Sequence, residues 1–137
     1  MNNIVLILAV LLFFSQFIYS GFTKITNFNK KVDTLSKKTN LDRGINEFGM
    51  ISVILLEIIG SLIVISYFLT KSTNNLYKNT TLYVLIMFCI FLVVVTILYH
   101  PPGQKMIPFM SNITVLGGFI LLIYIYYFTN RFKYSLF

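Results

Sequence analysis

Glu57 interrupts Ile51-Ser52-Val53-Ile54-Leu55-Leu56-Glu57-Ile58-Ile59-Gly60, a stretch otherwise built from aliphatic residues, one serine and one glycine. A charged side chain at the centre of a bilayer costs roughly 2.5–3.5 kcal/mol on insertion scales. Glu57 must therefore turn toward other helices, meet a cation or hold a proton. Partners recur at helical spacing elsewhere in the chain. Gln16, Ser20 and Lys24 fall every four residues and draw one polar stripe. Cys89, Thr96 and His100 share a face by the same geometry, Ser61 lies one turn beyond Glu57, and Asn112 precedes the small pair Gly117-Gly118. The chemistry open to such a set is ion pairing between Lys24 and Glu57 or hydrogen bonding to a carbonyl headgroup. His100 adds proton handling, one of the tasks histidine takes near neutral pH.

The same inventory excludes much. No residue set reads as catalytic: the sequence has no nucleophile–base pair, no metal-ligating cluster, no nucleotide-binding loop and no pair of haem-ligating histidines. Cys89 is the single cysteine, so neither an internal disulfide nor a C-x-x-C centre can form. Gly21, Gly60, Gly117 and Gly118 have a different expected role. They let backbones approach closely where helices cross.

Those polar residues need elements to hold them at one level. Hydrophobic residues make up 57% of the 137 and charged residues 11%, with a mean hydropathy of +0.82. A soluble domain carries about 25% charged residues because its surface faces water, so lipid is the solvent that suits this chain. Four apolar stretches, at about 4–24, 48–69, 82–100 and 106–128, each approach the roughly 20 residues a helix needs to cross the hydrocarbon core. Backbone groups in lipid must pair within their own segment, which makes each stretch a helix. The expected fold is a single all-α domain, an antiparallel bundle of four transmembrane helices in an integral multi-pass membrane protein. The first stretch has no basic n-region and no small-x-small cleavage site, and is expected to remain as a span.

The connections differ. Residues 25–47 carry Lys30, Lys31, Lys37, Lys38 and Arg43, and residues 27–35 suit a short interfacial helix. Residues 70–81 read as a polar loop. His100-Pro101-Pro102-Gly103 reads as a tight hinge, because proline ends a helix and glycine permits the reversal. On this topology Gln16, Lys24, Glu57, His100 and Asn112 converge in one half of the bundle, on the side away from the termini. With 1.5 Å of rise per residue, Glu57 would lie roughly 14 Å below that surface. The net charge of +7 sits almost wholly between the apolar runs, where it meets anionic headgroups rather than nucleic acid. Seven basic residues (Lys24, Lys30, Lys31, Lys37, Lys38, Arg43, Lys105) fall on the side away from the termini, and four (Lys71, Lys78, Arg131, Lys133) on the other. The positive-inside rule then leans, by a small margin, toward termini outside.

Several of these segments resemble the DoxX family of four-helix membrane proteins and its DoxD-like relatives. Gly21-Phe22-Thr23-Lys24 is similar to that family's G-x-x-K, and Leu56-Glu57-Ile58-Ile59-Gly60 to its second-span acid and glycine. Phe109 to Gly118 is similar to its F-x-x-N-x-x-x-x-G-G, with His100 ahead of it. The arginine that family members often carry early in the first span is missing, and the 25–47 connection is enlarged. The resemblance implies a four-helix membrane fold. It also implies a role beside other proteins, since relatives include a subunit associated with thiosulfate:quinone oxidoreduction and membrane partners of redox proteins.

Three functions compete at this stage. The first is a non-catalytic membrane subunit or an assembly and docking factor, with a protein partner or a second copy of itself and no cofactor. The second is a redox-linked subunit, accessory to an oxidoreductase, that binds a quinone or lipid at Glu57 and Lys24. The third is a small proton or cation channel or carrier, which the thin polar lining and the lack of inverted repeats disfavour.

Overall fold

The computed structural model describes residues 3–70, 73–101, 103 and 106–134. Pro102, Lys71 and Lys105 of the expected hinge and charge count lie outside the described residues. The chain is helical throughout its long elements, and four of its helices are long and apolar enough to cross a membrane. The protein is an all-helical, integral multi-pass membrane protein. It divides into two compact units, Met1–Val84 and Leu85–Phe137.

In the first unit, α1 (Asn3–Thr26) is followed at once by a short helix α2 (Phe28–Thr39) and then by α3 (Arg43–Leu55). A single π-helical turn at Leu56–Gly60 joins α3 to α4 (Ser61–Thr70), so α3, the π turn and α4 form one span. The α1 helix packs antiparallel to that span. Gly21 lies against Glu57 and Ile58, while Ile7, Val10 and Leu11 line the same apolar cleft as Ile65, Phe68 and Leu69. Val10, Phe14 and Phe17 are buried, and so are Val64, Ile65, Tyr67 and Phe68. Leu8, Leu12, Leu55 and Leu62 are exposed, as lipid-facing side chains should be when the surrounding solvent is hydrocarbon.

The α2 helix exists because residues 28–39 alternate with a 3.6-residue period. Phe28, Val32, Leu35, Ser36 and Thr39 fall on one face, with Val32 fully buried and the others half-buried. The helix stops at Asn40, whose φ of 53° is left-handed and whose N–H donates to the Ser36 carbonyl at 3.0 Å. Asparagine tolerates that conformation better than branched residues do. Asp42 then caps α3, its carboxylate accepting from the Gly44 N–H at 2.9 Å. Between these caps Asn46, 2% exposed, fastens the corner. Its Nδ2 donates to the carbonyls of Leu41 and Asp42, both at 3.0 Å, and its Oδ1 accepts from the Thr39 hydroxyl at 2.9 Å. Asn46→Ala strands those groups and is expected to cost about 1–2 kcal/mol. A lowered thermal midpoint in detergent, with faster proteolysis across residues 39–43, would register it.

α5 runs Asn75–Tyr99 and α6 runs Met106–Tyr134. The expected polar loop at 70–81 is therefore largely helix. Asn74 caps α5 by accepting from the Leu76 N–H at 2.9 Å. One turn on, the Tyr77 hydroxyl donates to the Ile63 carbonyl at 3.2 Å and shares a hydrogen bond with Ser66. Polarity in this stretch reports a helix continuing beyond hydrocarbon, not a break in the helix. A helix is present where a short interfacial one is expected at 27–35, and it runs four residues further, to Thr39. In the second unit Phe88 and Phe119 stack with ring centroids 4.9 Å apart and planes at 15°, tying α5 to α6. Gly103 reverses the chain between them with a φ of +94°, a backbone conformation suited to glycine.

Candidate functional site

The site begins with spacing on α1. Ser20 and Lys24 are one turn apart and project from the same face, and Gly21 lies beside them. A Cβ on Gly21 would sit 2.6 Å from Cγ1 of Ile58 and 3.4 Å from Cβ of Glu57. Only a residue without a side chain lets the backbone of α1 come this near the π turn. That approach carries Lys24 over Glu57.

Lys24 Nζ donates to both carboxylate oxygens of Glu57, at 2.7 Å each. Its remaining proton goes to the Ser20 hydroxyl at 2.6 Å, and Ser20 in turn donates to Glu57 Oε1 at 3.2 Å. An ammonium has three donors, and all three are spent here. The Glu57 side chain is 3% exposed and that of Lys24 17%. The result is a closed, electrically neutral cluster inside the helix pair.

The backbone under the carboxylate is unusual too. Glu57 occupies the π turn, and the Ser61 hydroxyl donates to the Glu57 carbonyl. Single π turns inside α-helices occur frequently at functional sites. Here the turn and the glycine opposite it meet at the same residue, so the chain bends its regular geometry where it holds its buried acid.

The other expected members are placed as follows. Gln16, on the stripe with Ser20 and Lys24, is exposed. Asn112 is in the second unit, where its Nδ2 donates to Thr96 Oγ1 at 3.1 Å while that hydroxyl donates to the Leu92 carbonyl at 2.6 Å. His100 ends α5 with its N–H on the Thr96 carbonyl at 2.9 Å and its ring beside Tyr99. Its Nδ1 is buried and unpaired among the described residues. The structure thus brings Lys24 and Glu57 together in one unit, and Asn112 and Thr96 in the other. Gly60 is buried in the π turn, whereas a Cβ on Gly117 would meet nothing within 4 Å among the described residues. Gly118 is half-buried. Asn46, which fastens the corner between α2 and α3, carries no sequence signal of its own, since it is one polar residue in an already polar connection.

A family model described as methylamine utilisation protein MauE matches residues 1–105. The chain belongs to the MauE family. The matched stretch takes in α1 to α5, and with them Ser20, Lys24 and the π turn that holds Glu57. No curated protein and no solved structure matches the chain. Membership in MauE overturns the resemblance to DoxX. Part of that resemblance lay in Phe109–Gly118, which falls outside the matched stretch. The rest lay in motifs that helix physics asks of many membrane bundles, namely a glycine where backbones meet and a lysine placed to neutralise a buried acid. In this MauE-family chain those residues are the means by which one helix pair holds its acid.

Proposed function

We propose that the chain serves methylamine utilisation as a non-catalytic membrane component, an accessory that docks or helps to assemble a partner protein. The family match over residues 1–105 carries this reading. The Lys24–Glu57 cluster supports it, because a cation and an acid that satisfy each other are suited to fixing a helix pair and less to turning over a substrate. On this reading the functional polar site is Ser20, Lys24 and Glu57, and its task is to hold α1 and the second span in the geometry that a partner meets.

The test is genetic and biochemical. The organism that carries the gene is grown with methylamine as sole nitrogen source after the gene is deleted. Loss of growth on methylamine but not on ammonium, with at least a tenfold drop in active methylamine-oxidising enzyme at unchanged transcript, is the expected result. Complementation by the parent chain should restore growth and Glu57→Ala should not. Equal growth of deletion and parent on methylamine would overturn the reading.

The redox-linked alternative places a quinone or lipid carbonyl at Glu57 and Lys24. It draws on the same cluster, and it requires the ammonium to release at least one carboxylate oxygen. Quinone titration of the purified protein against Glu57→Ala decides it, since identical null responses end the idea.

A further inference from the structure

The α2 helix is anchored to its neighbours by its apolar face, which leaves its opposite face to the surroundings. Lys30, Lys31, Lys37 and Lys38 are all exposed. On a 100° helical wheel they cover the sector from about 180° to 300°, away from the buried Val32. One residue, Asn27, separates this helix from the end of the α1 span, so Lys30 and Lys31 sit about one turn past the point where α1 leaves the hydrocarbon. Phe22 and Ile25 on α1, and Ile45 and Phe48 on α3, are exposed at those same helix ends. Apolar side chains suited to acyl chains therefore lie next to the lysine-bearing helix.

The acids of the segment do not cancel this charge. Arg43 holds Asp33 at 3.2 Å and Glu47 at 2.8 Å, and it also donates to Asn29 at 3.3 Å. Asp42 is engaged at the N-cap of α3. Four lysines and Arg43 against Asp33, Asp42 and Glu47 leave the 27–47 segment a net charge of +2, and with Asp33 and Glu47 drawn to Arg43 the positive excess lies on the lysine face.

We propose that the lysine face of α2 is a binding surface for anionic phospholipid headgroups, with phosphatidylglycerol as the representative chemistry. Phosphate oxygens accept from the ammonium groups of Lys30, Lys31 and Lys37. Acyl chains of the same lipids run down past the apolar residues at the ends of α1 and α3. Each lysine near an anionic surface adds roughly fivefold to the preference, which is screened away by salt only where the groups remain in water.

The test uses the full chain, purified from membranes and reconstituted in nanodiscs of phosphatidylcholine with a minor fraction of phosphatidylglycerol. Lipids retained on the protein are counted by native mass spectrometry. The parent should carry phosphatidylglycerol well above its bulk fraction, and Lys30→Gln/Lys31→Gln/Lys37→Gln should lose that enrichment by tenfold or more. The charge-preserving triple Lys→Arg variant should keep it. Circular dichroism and gel filtration confirm that each variant is folded, and the three positions are exposed, so neutralising them leaves the apolar contact of α2 intact. Retention at the bulk ratio by the parent, or equal enrichment in parent and Gln variant, would overturn the proposal. So would equal displacement of the bound lipid by soluble inorganic phosphate and by phosphatidylglycerol vesicles, because the site would then recognise free phosphate. Enrichment lost in the Arg variant as well would mean that lysine shape, not charge, governs binding, and would count against the proposal.

Discussion

Lys24→Met should destabilise the protein by about 3–5 kcal/mol, the cost of leaving one partner of a buried ion pair charged and alone. Lys24 makes three hydrogen bonds within the cluster, two of them to Glu57, so its loss removes all of the carboxylate's cationic support on α1. Replacing both partners is expected to behave differently. Lys24→Met with Glu57→Leu exchanges a neutral ion pair for apolar side chains of similar length, and buried pairs replaced in that way are often neutral or more stable. A double-mutant cycle in detergent, read from denaturation midpoints, should give a coupling energy of about 1.5 kcal/mol or more. Additive single substitutions would mean that the two side chains do not act on each other. A double variant that unfolds as readily as Lys24→Met would show that the cluster contributes through its hydrogen bonds to Ser20 and not through the charge pair.

The second large effect concerns the backbone. Gly21→Val puts a branched side chain where a Cβ alone would lie 2.6 Å from Ile58 Cγ1. Ile58 cannot readily swing away, because β-branched residues have one strongly preferred χ1 rotamer in a helix. Something must shift, and overpacking of this kind costs typically 1–3 kcal/mol. Because the same shift moves Lys24 off Glu57, the expected loss lies at the upper end, about 3 kcal/mol, seen as a lower thermal midpoint. Ile58→Ala in the Gly21→Val background should recover a large part of it by clearing the obstructing side chain. No recovery would place the strain elsewhere on α1.

The spans were readable because lipid leaves little choice: twenty apolar residues in a row become a helix, whatever their order. The pairing of Lys24 with Glu57 was legible for a related reason. A lone acid in an apolar run must find a cation, and Lys24 sits on a polar stripe of the adjoining span. Ser20 followed from the four-residue spacing. Gln16 has the same spacing and is exposed, since each four-residue step turns about 40° around the helix, while the buried face of α1 runs through Val10, Phe14, Phe17 and Gly21. The π turn left no mark in residue types. Its five residues, Leu56–Gly60, read as ordinary helix, and what sets them apart is the position of the backbone relative to Gly21. The helical start of α5 was hidden by its polarity, and the family was obscured by motifs that many membrane bundles share.

Insertion into the bilayer gives the closed cluster a role during biogenesis. The nascent chain delivers α1 first, with an ammonium near its exit, and only thirty-three positions later the carboxylate that neutralises it. A span carrying an unpaired ionised group near its middle is an unfavourable passenger for the translocon, so the second span is best accommodated once α1 waits alongside. Synthesis order and charge together therefore favour release of the first two spans as a preassembled hairpin, with later helices joining a partner that is already electrically quiet.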